Sequence, residues 1–301
     1  EGRAQLTERD AINLGGYIQD IQATPTRLMI ARNQGWRGSN NELDEWDGTY
    51  VTLVDISDPR GNVILGGSVP VDGYVQRKNN LHIEGEIMRV VSSDWRGSGS
   101  VVSTWNIADV LQPVAIDAKR FGENEDLYAS LFLSDRAFFV TYRRVDPFHA
   151  FSIDSSGLIE ERAEFIVSGW NDFFTSTFSE RRIVGVGMDD QAPNGQRIAV
   201  SLYDITNLDN AEPLIERAHG DLSGWNWSEA RWDDRAFSVI ENAVEVNSEN
   251  GTLETGLVLL PFSGYSTEDH RYISGVQLFT FSDESVTVRG IMDHDSPVRR
   301  S

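Results

Sequence analysis

Val54-Asp55-Ile56-Ser57-Asp58-Pro59 is the end of an apolar run that breaks into an acidic, small-polar turn. The figure returns as Trp105-Asn106-Ile107-Ala108-Asp109, Phe151-Ser152-Ile153-Asp154, Tyr203-Asp204-Ile205-Thr206-Asn207 and Phe279-Thr280-Phe281-Ser282-Asp283. Its anchors, Ile56, Ile107, Ile153, Ile205 and Phe281, stand 51, 46, 52 and 76 residues apart. A recurring period is the signature of a repeat architecture, and roughly 40–50 residues is the length of a four-stranded propeller blade. The long last interval reads as a polar insertion around 244–273.

Other landmarks keep the same phase. Gly16-Tyr17-Ile18-Gln19 recurs as Gly73-Tyr74-Val75-Gln76, and Ser168-Gly169-Trp170-Asn171 as Ser223-Gly224-Trp225-Asn226. Asp135-Arg136-Ala137-Phe138 recurs as Asp234-Arg235-Ala236-Phe237. Each unit holds four short runs rich in β-branched and aromatic residues, divided by Gly, Asp, Asn and Pro, which is how short strands read. In the third unit these runs are 127–133, 137–142, 149–153 and 159–167. The near-continuous apolar second run, Ala137 to Tyr142, predicts a strand buried on both faces. The charged fourth run, with Glu160, Glu161, Arg162 and Glu164, predicts an exposed outer strand. No helical apolar stripe of useful length appears.

The predicted fold is therefore all-β: a β-propeller of four-stranded blades, five of them complete. The blades fall near 16–72, 73–121, 122–168, 169–223 and 224–296. Residues 1–15 remain, and within them 6–14 read as the outer strand of a preceding blade. Residues 297–301 read as a tail or as the start of a further strand. A propeller closes its ring to protect sheet edges. Five blades and an orphan strand thus predict part of a ring of six or more. The rest would come from the same polypeptide or from a companion chain.

Composition excludes several functions. The 301 residues carry 47 acidic and 26 basic side chains, a formal charge of −21. Nucleic-acid binding needs a basic footprint, and anionic membrane surfaces attract basic segments, so neither partner fits. Cysteine is absent, which removes disulfides, thiolate metal sites and cysteine nucleophiles. No run approaches the roughly 18 apolar residues of a membrane-spanning helix.

The stretch Asp135-Arg136-Ala137-Phe138-Phe139-Val140-Thr141-Tyr142-Arg143-Arg144-Val145-Asp146-Pro147 resembles a known family. So does Ile183-Val184-Gly185-Val186-Gly187-Met188-Asp189, followed by Val200-Ser201-Leu202-Tyr203-Asp204-Ile205-Thr206-Asn207 and Trp227-Ser228-Glu229-Ala230. The family is the secreted bacterial and archaeal proteins with a C-terminal β-propeller distantly related to WD40 repeats. The similarity runs from about residue 15 onward. It implies export, to the periplasm, the cell surface or the medium of a prokaryote, and it implies no catalytic residues.

Function on a rigid scaffold gathers on its loops. The second-to-third connections are read at 33–48, 92–100, 188–196 and 244–273. They carry Trp36, Arg37 and Trp46 in the first and Trp95 and Arg96 in the second. Trp and Arg are favoured interface anchors, which makes these five the candidate binding residues for protein or glycan. The alternative is that the repeated Trp-Arg-Gly-Ser is a duplicated turn covering a blade's end. The aromatics Tyr17, Tyr74, Trp170 and Trp225 either stack on a sugar or wedge between blades.

Asp189, Asp190 and Asn194 offer the hard oxygen ligands that calcium prefers, as do Asn41, Glu42, Asp44 and Asp47; neither group matches the twelve-residue calcium loop. The five histidines, His82, His149, His219, His270 and His294, form no HExxH or HxH pair. No nucleophile elbow or phosphate-binding loop is present. The expected function is a non-enzymatic extracellular or cell-envelope binding or assembly module that requires no cofactor. A propeller enzyme acting on polysaccharide or a lactone is the first alternative, and a calcium-stabilised structural component the second.

Overall fold

The computed structural model describes residues 7–33, 48–94, 99–142, 146–167, 169–189, 196–222, 226–268 and 270–301. Among them no α-helix forms. Short strands built from β-branched and aromatic residues pair antiparallel with their sequence neighbours instead.

Five successive sheets result. The first is β1 (Tyr17–Ala23), β2 (Arg27–Asn33), β3 (Thr49–Asp55) and β4 (Ile64–Val71), side by side in chain order. The second is β5 (Leu81–Glu84), β6 (Ile87–Asp94), β7 (Gly99–Asn106) and β8 (Val114–Phe121). The third is β9 (Asp126–Phe132), β10 (Arg136–Tyr142), β11 (Asp146–Ile153) and β12 (Ile159–Val167). The fourth is β13 (Trp170–Thr177), β14 (Arg182–Asp189), β15 (Arg197–Asp204) and β16 (Leu214–His219).

The last sheet is more elaborate. It begins with β17 (Asn226–Trp227), β18 (Ser238–Ile240) and a small separate hairpin, β19 (Val246–Asn247) with β20 (Leu253–Glu254). Its long strands are β21 (Gly256–Ser266), β22 (Arg271–Phe281) and β23 (Val286–His294), and both β17 and β18 pair with β21. These meander sheets are the blades of a β-propeller. Residues 6–14 are read as an outer strand; of these, 7–14 pair with no strand among the described residues, and Asp10 accepts the Val63 N–H at 3.1 Å.

Two loop expectations change. The extra length of the last blade is not a second-to-third connection, because β21 and the start of β22 occupy 256–273. The insertion lies between first and second strands and carries β18 and the β19–β20 hairpin. Spacing alone placed it wrongly: the apolar Leu257–Phe262 run is the blade's second strand, with Val258, Leu260 and Phe262 buried. The 92–100 loop is also shorter than read, since β6 continues to Asp94 and β7 starts at Gly99.

The repeated sequence landmarks have a backbone cause. The N–H groups of Ile56, Ile107, Ile153 and Ile205 donate to the carbonyls of Thr26, Glu86, Asp135 and Arg181 at 3.0, 2.8, 2.8 and 3.2 Å. Each bond ties the end of a third strand to the start of the second. Just before the isoleucine, Asp55, Asn106 and Asp204 accept the N–H two residues on, at 2.8, 2.9 and 2.9 Å. Such Asx turns mimic a backbone turn with a short side chain. In the third blade Ser152 holds that place, and the turn moves to Asp154, which accepts from Ser156 N at 2.9 Å.

Glycine begins the blades for a related reason. Gly16, Gly73 and Gly169 have φ of +91°, +88° and +66°. A Cβ there would stand 2.8, 2.6 and 2.3 Å from the carbonyl oxygens of Asn33, Ser93 and Met188, at the far end of each second strand. Only glycine takes up both the left-handed backbone and so close an approach. In the second blade the first strand is interrupted: Tyr74 bridges Ser93, a 3-10 turn spans Lys78–Asn80, and pairing resumes at Leu81.

The chain comprises two compact units. The first comprises Glu1–Leu127, Ser134–Arg136 and Ser152–Glu160; the second Tyr128–Leu133, Ala137–Phe151 and Glu161–Ser301. In the first unit the core joins the facing sides of two sheets through Met29, Leu53, Val71, Met88, Val90 and Trp105. In the second unit one cluster is aromatic. Phe148 is fully buried and packs on Phe138, Phe165, Phe174 and Tyr203 with ring centroids 5.6, 4.5, 5.2 and 5.3 Å away. A further cluster joins Val186, Val200 and Leu202 to Val258, Leu260, Phe279 and Phe281. Ala137, Phe138, Phe139, Val140 and Thr141 of β10 are all buried, as expected of a second strand. Glu160, Glu161, Arg162 and Glu164 of β12 are exposed.

Candidate functional site

Trp36, Arg37, Trp46, Trp95 and Arg96 lie outside the described residues, as do Asp190, Asn194 and Trp225. The acidic group Asn41, Glu42, Asp44 and Asp47 lies outside them too. Tyr17 is 71% exposed, so the glycine before it, rather than its ring, is what the blade's opening turn requires. The remaining candidate, Asp189, ends β14 and is buried.

Cross-strand pairing explains the setting of Asp189. It stands opposite Arg197 on β15, and Ala199, two residues on, stands opposite His219 on β16. Asp189 Oδ2 thereby meets His219 Nε2 at 2.9 Å and Arg217 Nη1 at 3.3 Å. Arg217 also donates through Nε to Ser201 Oγ at 2.8 Å and through Nη2 to Tyr203 Oη at 3.4 Å; Asn171 Nδ2 reaches the same phenol at 2.9 Å. A buried charge demands such pairing. A carboxylate oriented on an imidazole is also how hydrolases position a general base. Here, however, one carboxylate oxygen serves both the guanidinium and the imidazole, and the adjacent serine hydroxyl is engaged by Arg217. The network ties β14, β15 and β16 together and commits the Asp189 carboxylate to Arg217 and His219.

A second cluster lies on the third blade. His149 of β11 is buried, and its Nε2 stands 3.0 Å from Thr141 Oγ1 of β10. Its Nδ1 faces Glu161 Oε1 of β12 at 3.6 Å, and Glu164 completes a group whose nitrogen and carboxylate oxygens lie within 4.8 Å of one another. Burial holds the His149 pKa down at about 4, so the ring is neutral at ordinary pH. Burial and the neighbouring Glu164 charge push the Glu161 carboxyl above its usual range. The sequence hid this group because its members lie on different strands.

Exposed aromatics form the third feature. Trp232, 68% exposed, follows the 3-10 turn Glu229–Arg231 within the last blade's insertion, with the Arg231 guanidinium 5.1 Å from its ring centroid. Arg231 Nε stands 3.7 Å from Asp172 Oδ2. Asp172 is buried at a β13 bulge, where the register slips between Asn171 and Phe173; bulges re-aim side chains in this way. On the last sheet Tyr265 and Tyr272 pair across the strands, edge to face at 5.3 Å, and Tyr272 is 75% exposed. Met292, two strands from Tyr265 in the sheet order, is 59% exposed.

Comparison with known proteins gives a family. The model described as Beta propeller domain matches residues 4–301. An uncharacterized protein of Methanocaldococcus jannaschii is 25% identical over 144 residues; the match covers 48% of this chain and 22% of that protein. The chain thus spans about a fifth of the length of the archaeal relative. A functionally unknown protein from Desulfotomaculum acetoxidans superposes with a TM-score of 0.55 at 12% identity, covering 96% of this chain and 74% of that one. The β-propeller domain of the Trilobed protease from Pyrococcus furiosus gives 0.40 at 10% identity, covering 95% and 83%.

Proposed function

The chain belongs to the Beta propeller domain family, and from that premise we propose that it is a non-enzymatic binding or assembly module of an exported prokaryotic protein. It meets a protein or glycan of the cell surface, and export to the medium or the envelope is part of the same reading. The observation that carries it is the set of bulky aromatics held at the surface by rigid elements, Trp232 beside Arg231 and Tyr272 beside Tyr265. Exposed Trp, Tyr and Arg on a stiff scaffold are the residue types that anchor interfaces. Two buried carboxylates, by contrast, are engaged by partners within the protein. Asp189 meets Arg217 and His219, and Glu254 meets Thr280, Ser285, Thr287 and Arg289.

Co-sedimentation with envelopes of the native host tests the proposal. Wild-type protein is expected to pellet with the envelopes, and Trp232→Ala and Tyr272→Ala are each expected to weaken that binding at least tenfold. Protease treatment of the envelopes abolishes binding if the partner is protein; periodate abolishes it if the partner is glycan. Turnover of a polysaccharide or lactone by the purified chain would overturn the proposal in favour of a propeller enzyme, as would unchanged sedimentation of both variants.

A further inference from the structure

We propose that His149, Glu161 and Glu164 form a binding site for one divalent transition-metal ion of the zinc type. The three side chains come from two adjacent strands, and their donor atoms lie within 4.8 Å of one another. Zinc binds imidazole nitrogen and carboxylate oxygen at about 2.0–2.2 Å in tetrahedral array, so two of its ligands stand about 3.3–3.6 Å apart. His149 Nδ1 and Glu161 Oε1 already have that spacing at 3.6 Å, and the glutamates close on an ion by moving about 1 Å or less. Both are exposed, Glu161 with 44% of its side chain accessible, and are free to make that adjustment.

The histidine is prearranged. Metal-bound imidazoles usually donate their second N–H to a neighbouring acceptor, which fixes tautomer and ring orientation. Thr141 Oγ1, 3.0 Å from Nε2 and fully buried, is placed to accept that proton. Nδ1 then presents its lone pair toward the glutamates, 3.6 Å from Glu161 Oε1, a separation too long for a direct hydrogen bond. A neutral imidazole and two carboxylates balance a dication. Arg162, between the two glutamates in sequence, forms a two-point pair with Asp209 at 2.9 and 2.6 Å. A nitrogen donor and only three protein ligands do not suit calcium, which takes six to eight oxygens. Imidazole with carboxylate suits zinc and its first-row neighbours, with water completing the shell.

The test uses the full chain, stripped with a chelator and then exposed to zinc at micromolar concentration. After gel filtration the wild type is expected to carry one zinc per chain by elemental analysis. Glu161→Gln and Glu164→Gln are isosteric and exposed, so they fold normally, and each is expected to weaken zinc binding at least tenfold. Cobalt(II) in place of zinc is expected to give a visible absorption band that His149→Gln abolishes, with a melting scan in chelator checking that this variant is folded. Should His149→Gln not fold, the two glutamine variants decide alone. Metal-free wild type, undiminished zinc binding in both variants, or binding of calcium in preference to zinc would each overturn the proposal.

Discussion

His82 stands directly opposite Arg89 across the β5–β6 ladder, and Arg89 in turn donates through Nη2 to the Ser134 carbonyl at 2.8 Å. Burial first, and the guanidinium second, hold the His82 pKa down at about 4. An unfolded histidine titrates near about 6.5. Between these values the unfolded chain binds more protons, so stability is full above the unfolded pKa and falls as pH drops toward the folded one. The slope one such residue adds is at most about 1.4 kcal/mol per pH unit. His82→Gln is expected to flatten the loss of stability between about pH 6.5 and about pH 5 in urea titrations. An unchanged slope would show that His82 is accessible to protons in the fold.

The inserted hairpin of the last blade depends on Glu254. Its fully buried carboxylate accepts from Thr280, and from Ser285 and Thr287 at 2.7 Å each; Arg289 Nη2 binds it at 2.8 Å and the Asn247 carbonyl at 2.9 Å. Burial alone would raise this carboxyl's pKa, but the hydroxyl donors and Arg289 together leave it below the ordinary value. Its contribution is thus complete above the unfolded glutamate pKa and is lost as pH falls through the lower folded one. Glu254→Gln replaces an acceptor oxygen by an N–H donor among donors, at a cost of about 1–3 kcal/mol. Denaturant unfolding at neutral pH measures that cost. A loss below about 0.5 kcal/mol would mean the network is not needed.

The recurrent glycine yields a comparison of two sites. Gly169→Ala sets a Cβ 2.3 Å from the Met188 carbonyl at a positive φ, so a destabilisation of at least about 2 kcal/mol is expected from strain and displaced backbone. Gly15, one residue before the equivalent glycine of the first blade, has nothing within 4 Å. Gly15→Ala is expected to stay within about 0.5 kcal/mol. Thermal scans of the two variants side by side settle the point; equal losses would refute it.

Phe148 is the hub of the aromatic cluster in the second unit. Phe148→Ala is expected to cost about 3–5 kcal/mol through lost burial and the cavity left behind, and Phe148→Leu appreciably less. Near-ultraviolet circular dichroism checks that the surviving fold still orders its aromatics. A Phe148→Ala protein that melts with the wild type would show that the cluster collapses around the gap.

The blades were legible because their corners are local. An Asx turn or a left-handed glycine is specified by a few neighbouring residues, so Asp55, Asn106, Asp204, Gly16, Gly73 and Gly169 leave a mark in the one-dimensional order. A near-continuous apolar run and a charged one likewise revealed β10 and β12. The last blade resisted because its insertion carries short strands of its own, and spacing could not say between which strands it falls. Candidate chemistry was harder still. Asp189 with Arg217 and His219, or His149 with Glu161 and Glu164, meet only once strands pair, and strand pairing converts distant positions into neighbours without any local motif.

The corner turns carry one more consequence, for the protein's chemical ageing. Each uses a single side-chain oxygen aimed at the N–H two residues on, and the same corner is served by aspartate at Asp55 and Asp204 and by asparagine at Asn106. The amide nitrogen of Asn106 is therefore dispensable there. Slow hydrolysis of that amide to a normal aspartate would leave the receiving oxygen in place, giving the second blade the corner that the first and fourth already have.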